Sequence, residues 1–321
     1  MAVRGQGRRR TVATAAGAVL GGVAAALLVS GCADPQRAGA GQDGKHGAAG
    51  QVRQALGPAE PSQALTAVRR AAGVLARSGG ARVRTSMETV SGGTRLTIHG
   101  QGVYDFSRPV GQLTVMLPED AEGAAEHRPI TEVFTPGALY MKNRGAGVPT
   151  GKWVRLDAGS LADGDLLTSG ATDPLAAVEL LGGARGVAYA GSEQLDGEQV
   201  AHYWGTIDLG RAARTAPERD RAALAAAAKG FTTGTVAFDA YVDGSGRPHL
   251  LRYRFGVAEA GAPAGRGRVT TAAAASTVSA APEAPMTVVS TVELFSFGPR
   301  PEVSLPAPAD IYAGTVASPQ K

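Results

Sequence analysis

The sequence is nearly free of cysteine, with Cys32 alone among 321 residues. A chain with one cysteine forms no internal disulfide, so its fold has to be held by packing and hydrogen bonds. Residues 12–29, just before this cysteine, are small and apolar, and a basic head without acidic residues comes first. These parts are typical of a secretory signal, and we predict that residues 1–31 are a signal peptide.

The four residues 29–32 (VSGC) resemble a bacterial lipobox, in which the cysteine thiol receives a diacylglycerol before the signal is cut off. A transmembrane anchor is the competing interpretation, but glycines interrupt the run, which is borderline for about 30 Å of hydrocarbon. A buried free cysteine is disfavoured because the position precedes any foldable segment. Two acyl chains anchor a protein stably. We therefore predict that Cys32 anchors the chain to the outer face of the cytoplasmic membrane.

The chain that follows the predicted signal peptide also has no net charge. The chain has 32 basic and 28 acidic side chains, and the predicted signal holds four arginines and no acid, which leaves 28 of each sign. A nucleic-acid partner requires a basic surface on the folded domain. We expect no nucleic-acid partner.

Catalytic signatures are absent as well. The sequence has no G-x-S-x-G and no H-E-x-x-H, and its five histidines lack neighbours at metal-ligand spacing. His202 is the best catalytic candidate, although a structural role is favoured. Residues 145–152 (GAGVPTGK) resemble a phosphate loop, but the spacing is one residue off and Trp153 replaces the required Ser or Thr, so we interpret them as a turn. We expect no enzyme, no metal and no cofactor.

Differences in composition divide the rest of the chain into a tether, one domain with an insertion, and a tail. Residues 32–61 hold few large apolar side chains and are predicted to be a flexible tether after the lipidated cysteine. Residues 62–311 are predicted to form one domain. Within it, residues 258–285 are interpreted as a low-complexity insertion, and residues 312–321 as a loose tail.

Periodicity predicts an α+β fold dominated by antiparallel strands. Helical spacing begins at Ser62, Asp173-Pro174 is a typical helix start, and residues 211–230 are predicted to be one Ala-rich helix. Alternating apolar and polar residues predict eleven strands. Their approximate positions are 83–87, 96–106, 113–117, 130–135, 138–142, 152–156, 186–195, 199–209, 235–242, 249–257 and 286–297.

The predicted strands carry large apolar side chains on one face. One interpretation is an ordinary core; the other is a curved sheet whose apolar face encloses a ligand cavity. For the second case, alternation predicts eight cavity-lining residues: Leu96, Ile98, Leu113, Val115, Phe238, Leu251, Tyr253 and Phe255.

Several stretches resemble the mycobacterial LppX/LprG lipoprotein family, whose fold is related to the LolA-type lipoprotein carriers. They follow in order from the lipobox to the end of the predicted domain: VSGC (29–32), FTPGALYMKN (134–143) with GKWVRLD (151–157), residues 173–209, residues 236–255 and residues 292–311.

This resemblance implies a strongly curved antiparallel sheet, a half-barrel, with helices over its concave face and a hydrophobic cavity that receives the acyl chains of a lipid or glycolipid. The expected function is therefore that of an anchored carrier at the cell envelope. The alternative is a lipid-free binding or sensor module that recognises a protein or cell-wall partner; an envelope enzyme ranks third.

Overall fold

A computed structural model describes residues 60–91, 93–118, 128–145, 147–257 and 286–314. All of them belong to one compact unit, Val52–Lys321. The predicted signal, Cys32, the tether up to residue 59, the predicted insertion and residues 315–321 lie outside the described residues.

The described strands form one antiparallel sheet of eleven strands in the order β6-β5-β4-β3-β2-β1-β11-β10-β9-β8-β7. The chain starts at the centre of the sheet, moves outward to β6, crosses to the opposite edge at β7 and returns to place β11 beside β1. Because β6 and β7 do not pair, the sheet is open. The strands are β1 (Gly80–Ser91), β2 (Thr94–Asp105), β3 (Val110–Met116), β4 (Ile130–Thr135), β5 (Ala138–Lys142), β6 (Trp153–Asp157), β7 (Ala184–Leu195), β8 (Glu198–Asp208), β9 (Thr235–Asp243), β10 (Pro248–Val257) and β11 (Met286–Gly298).

Within the described residues, four α-helices accompany the sheet: α1 (Pro61–Leu75), α2 (Pro174–Leu180), α3 (Leu209–Thr215) and α4 (Glu218–Gly230). The prediction of one helix over residues 211–230 is wrong. Ala216 is extended (φ −63°, ψ 149°), as expected for a residue before proline, and α4 starts after Pro217. The α3 helix begins earlier than predicted because Asp208 accepts a hydrogen bond from the Arg211 amide at 2.7 Å.

The helices cover one face of the sheet. On β10, the side chains of Leu251, Tyr253 and Phe255 are buried on this inward face, whereas Arg254 on the outer face is exposed. Side chains of α1, α2, α3 and α4 join the same apolar core as the inward side chains of the strands. The predicted fold class, a curved antiparallel sheet with helices on the concave face, is confirmed.

We call α1 to α4 together with the loop of residues 161–172 the helix cover. Asp163 builds this loop by accepting hydrogen bonds from the amides of Asp165, Leu167 and Thr168 at 3.1, 2.8 and 2.7 Å. Asp173 then begins α2 by accepting from the Leu175 amide at 2.8 Å.

Candidate ligand site beneath the helix cover

Six of the eight predicted cavity residues meet in one core beneath the helix cover. Each of the six is at most 1% exposed: Leu113, Val115, Phe238, Leu251, Tyr253 and Phe255. Ile98 is partly buried and packs against this core, and Leu96 is 46% exposed near the β1–β2 turn. Their role in binding a ligand stays a prediction.

Inward side chains of the strands and side chains of all four helices are buried against one another, so the helix cover is closed over this face. Beneath it, a small cavity of about 20 Å³ is lined by Asp165, Asp173, Asp220 and Leu224, among others. Such a space holds about one water molecule. An acyl chain therefore enters this region only if the helix cover moves away from the sheet.

Hydrogen bonds fasten the helix cover to the sheet. The Tyr253 hydroxyl donates to the carbonyl oxygen of Ala177 in α2 at 2.5 Å. Thr172 donates to the Leu166 carbonyl at 2.6 Å, so the Ser290 hydroxyl, 2.7 Å away on β11, donates to Thr172. These buried polar groups are thus satisfied within an otherwise apolar layer between the helix cover and the sheet.

Two carboxyl groups of the helix cover, those of Asp173 and Glu179, have raised pKa values. Burial raises the pKa of Asp173 to about 7, although the Leu175 amide and the Tyr104 hydroxyl bond to it and oppose the shift. Burial and the neighbouring Asp220 raise the pKa of Glu179 to about 9, against the opposing effect of Arg219, whose guanidinium lies 2.5 Å from Glu179. These acids keep their protons to higher pH than acids in water.

A second pair of acids, Glu132 and Asp165, is also buried. Glu132 is fully buried on β4, and neither of its carboxyl oxygens has a hydrogen-bond partner; Asp165 Oδ1 also has none. Burial first, and Asp165 second, raise the pKa of Glu132. Sequence reasoning missed this pair, although Glu132 occupies the inward position between Ile130 and Phe134, which was a readable signal.

His202, the best catalytic candidate in the sequence, lies on the outer face of β8. Its Nε2 is 3.0 Å from Asp239 and its Nδ1 is 3.2 Å from Glu193, while the ring stacks on Tyr241 with centroids 4.2 Å apart. Both ring nitrogens are engaged, which favours the structural interpretation.

No group of three or more His, Cys, Asp or Glu residues suited to a metal ion occurs in the part of the chain that the structure describes. Within the same residues, none of the helices has the length and apolar character needed to cross a membrane.

The fold is similar to several solved structures of lipoproteins and LolA-type proteins. LprF from Mycobacterium bovis is 14% identical with a TM-score of 0.39, covering 78% of this chain and 99% of LprF. The lipoprotein LppX from Mycobacterium tuberculosis is 10% identical with a TM-score of 0.41, covering 77% of this chain and all of LppX. A LolA superfamily protein from Nitrosomonas europaea is 12% identical with a TM-score of 0.31, covering 76% and 94%.

The resemblance to LppX/LprG and LolA-type proteins that the sequence indicated recurs among these structures. No protein-family model and no curated protein sequence matches the chain.

Proposed function

We propose that this protein is a membrane-anchored lipoprotein that binds the acyl chains of a lipid or glycolipid between the sheet and the helix cover. The structure then corresponds to the state in which the helix cover lies closed on the sheet. The observation that carries the proposal is a wide apolar sheet face under a layer of short helices that hydrogen bonds fasten to it. The anchor at Cys32 and the location outside the cytoplasmic membrane follow from the lipobox and belong to the same proposal.

Opening the helix cover gives up apolar contacts with the sheet, and an acyl chain that enters between the layers restores apolar burial on both sides. Hydrogen bonds such as Tyr253–Ala177 and Thr172–Ser290 are exchanged for bonds to water when the layers separate, and each contributes a net of about 0.5–1.5 kcal/mol. Each methylene of an entering acyl chain contributes about 0.8 kcal/mol on burial. A chain of ordinary length therefore offsets several such bonds, and no catalytic residue is needed.

The first test examines the purified protein for lipid. The chain from Ala33 onward lacks cysteine and keeps the whole compact unit Val52–Lys321. Purified without detergent, denatured and analysed by mass spectrometry, it is expected to release about one lipid per chain. If no lipid is released, and if added diacyl lipids do not bind, the proposal is wrong.

The second test locks the helix cover with an engineered disulfide. The Thr172 and Ser290 hydroxyl oxygens are 2.7 Å apart, so sulfurs in the Thr172→Cys/Ser290→Cys variant can reach the bonding distance of about 2.05 Å. We expect the oxidised variant to exclude a pyrene-labelled diacylglycerol and the reduced variant to bind it. Uptake at the same rate in both states would place the lipid elsewhere.

A matched control is the Ser86→Cys/His99→Cys variant, which joins directly paired positions of β1 and β2 on the outer face. Its disulfide does not tie the helix cover to the sheet. Oxidation of this variant is expected to leave lipid uptake unchanged.

The second candidate function is lipid-free recognition of a protein or cell-wall partner, and one observation favours it. A depression of about 550 Å³ lies on the outer face, and its lining includes Arg84, His99, Gln101, Arg252 and Glu293. For this function, the His99→Ala/Gln101→Ala variant should lose binding to insoluble cell-wall material while lipid uptake stays unchanged. Equal sedimentation of variant and parent with that material would exclude this surface.

A further inference from the structure

A second depression, of about 380 Å³, lies where the turns that flank β4, β5 and β6 meet. Its lining combines two arginines and a lysine, Arg128, Arg144 and Lys152, with Asn143 and backbone of the β5–β6 turn, which includes Thr150. The volume is within the range of about 300–1,000 Å³ that is usual for small-molecule sites.

The three cations in this depression form no ion pair among the described residues, although Arg144 interacts electrostatically with the buried Glu132 and lowers its pKa against the effect of burial. Arg144 donates to the carbonyl oxygens of Ser169 and Thr168 at 3.2 Å each, and Lys152 donates to the Ala309 carbonyl at 2.6 Å. Arg128 is exposed and forms no ion pair within the described part of the chain. Among the residues that the structure describes, no acidic side chain lines the depression. Three like charges thus share one concave surface, an arrangement that favours an anion.

The residue types suit a phosphoryl group in particular. Guanidinium groups present several N–H donors in a plane and bind phosphate oxygens in pairs, while an ammonium group contributes a compact charge. Neutral donors and backbone amides complete typical phosphate sites, and here Asn143 and residues 148–151 of the β5–β6 turn line the same surface.

We propose that this depression binds the phosphoryl headgroup of an anionic lipid. The inference rests on the proposed function, because it assigns the headgroup of the ligand whose acyl chains lie beneath the helix cover. Arg144 links the two places, since its carbonyl partners, Thr168 and Ser169, belong to the loop of the helix cover. A phosphoryl group that draws the Arg144 guanidinium toward itself weakens those two bonds and loosens the helix cover.

This proposal assigns a role to the sequence GAGVPTGK, because several of its residues line the depression. It connects β5 to β6, as the sequence predicts, and it has no strand-loop-helix context, so it is not a nucleotide-binding phosphate loop. Its contribution is to bring Lys152 next to Arg144 and Arg128 at one surface.

The test measures three ligands by isothermal titration calorimetry against the chain from Ala33 onward. They are dioctanoyl phosphatidate, dioctanoylglycerol, which lacks the phosphoryl group, and inorganic phosphate. The test variant is Arg128→Gln/Lys152→Gln, which leaves Arg144 and its loop contacts in place. The control is Arg155→Gln, which removes a positive charge from an exposed position of β6 outside the depression.

We expect phosphatidate to bind at least about ten-fold tighter than dioctanoylglycerol. The Arg128→Gln/Lys152→Gln variant should lose this preference, Arg155→Gln should keep it, and added salt should weaken it. Thermal unfolding is measured for both variants to check that each is folded. The proposal is overturned if the folded double variant binds phosphatidate as tightly as the parent.

The outcomes separate the headgroup site from the carrier function. If both lipids bind with equal affinity, the headgroup site is wrong and the carrier function stands. If inorganic phosphate binds through Arg128 and Lys152 but neither lipid binds, the site takes free phosphate, and both the lipid-headgroup assignment and the carrier function are wrong. If no ligand binds, both proposals fail.

A competing occupant is the acidic sequence just before Arg128. Glu119, Asp120, Glu122 and Glu126 lie outside the described residues. If phosphatidate is preferred only after all four are changed to glutamine, the chain fills its own site and the proposal is overturned. Equal preference in the parent and this variant supports it.

Discussion

The hydroxyl group of Tyr253, in the middle of β10, donates a 2.5 Å hydrogen bond to the carbonyl oxygen of Ala177 in α2. Both residues are fully buried. In a regular helix the Leu181 amide would bond to this carbonyl, but it bonds to Val178 and Glu179 instead. The central strand thus supplies a donor to the end of a short helix, and this bond has to break when the helix cover leaves the sheet.

Replacement of Tyr253 by phenylalanine removes this bond and keeps the ring. The Ala177 carbonyl then loses a buried donor, and we expect the free energy of unfolding to fall by about 1–3 kcal/mol. Lipid uptake should become faster, because opening breaks one bond fewer. Urea unfolding and stopped-flow uptake of a pyrene-labelled lipid measure the two effects. Tyr241→Phe on the outer face is the control, with an expected change within about 0.5 kcal/mol.

The stability of the fold is expected to decrease as pH rises. Burial raises the pKa of Asp173 to about 7 and that of Glu179 to about 9, whereas both acids lose their protons near pH 4 in the unfolded chain. Because the folded state binds these protons more tightly, their contribution is complete below pH 4 and is lost as pH rises toward 7 and then 9. The urea midpoint should fall from pH 5 to pH 9.

Asp173→Asn should reduce this fall between pH 5 and pH 8. The amide does not ionise, and its oxygen still accepts from the Leu175 amide at the start of α2. Asp157→Asn, at an exposed cap, is a suitable control and should leave the slope unchanged. An Asp173→Asn protein with the slope of the parent would show that other groups cause the pH dependence.

Glu132→Met is expected to stabilise the protein. Both carboxyl oxygens of Glu132 are buried without hydrogen-bond partners, and its neighbours in β3 and β5 are Leu113 and Met141. An apolar side chain of similar length removes the unpaired acid, and we expect a gain of about 1–3 kcal/mol in urea unfolding at pH 8. Glu132→Gln should gain less because its amide is also unpaired. A loss of stability with methionine would mean that the acid has a stabilising partner.

Gly111→Ala tests how the sheet holds Tyr104. The two residues are directly paired across β3 and β2, and a β-carbon on Gly111 would overlap the Tyr104 ring. The ring stacks on Phe106 with centroids 4.7 Å apart. We expect a loss of about 1–3 kcal/mol in the free energy of unfolding. Gly234→Ala, where the β-carbon would meet open space, should change it by less than about 0.5 kcal/mol; equal losses would exclude the overlap as the cause.

Much of the secondary structure was predictable because its signals are local. Eleven strands were expected and eleven occur among the described residues, with β4 and β5 at the predicted bounds. The break between α3 and α4 also had a local signal, Pro217, which outweighs the helix propensity of the surrounding alanines. The acid at position 132 was readable from strand alternation in the same way.

The candidate sites were less predictable because they depend on how separate strands, turns and helices pack against one another. Alternation placed six apolar residues on the inward face, where they are buried, but it does not show whether helices or a ligand fill the space above them. Arg128, Arg144 and Lys152 share one depression because the turns around β4, β5 and β6 meet, which the spacing of the residues does not reveal.

By itself, the sequence determined the strands, the inward and outward parity of their side chains, and the prediction of a lipid anchor at Cys32, since each depends on neighbouring residues. The tertiary structure decided that β11 lies beside β1 and that the helix cover packs against the inward face of the sheet. These features depend on packing between segments far apart in the chain, where the free energy of many weak contacts, rather than local propensity, selects the arrangement.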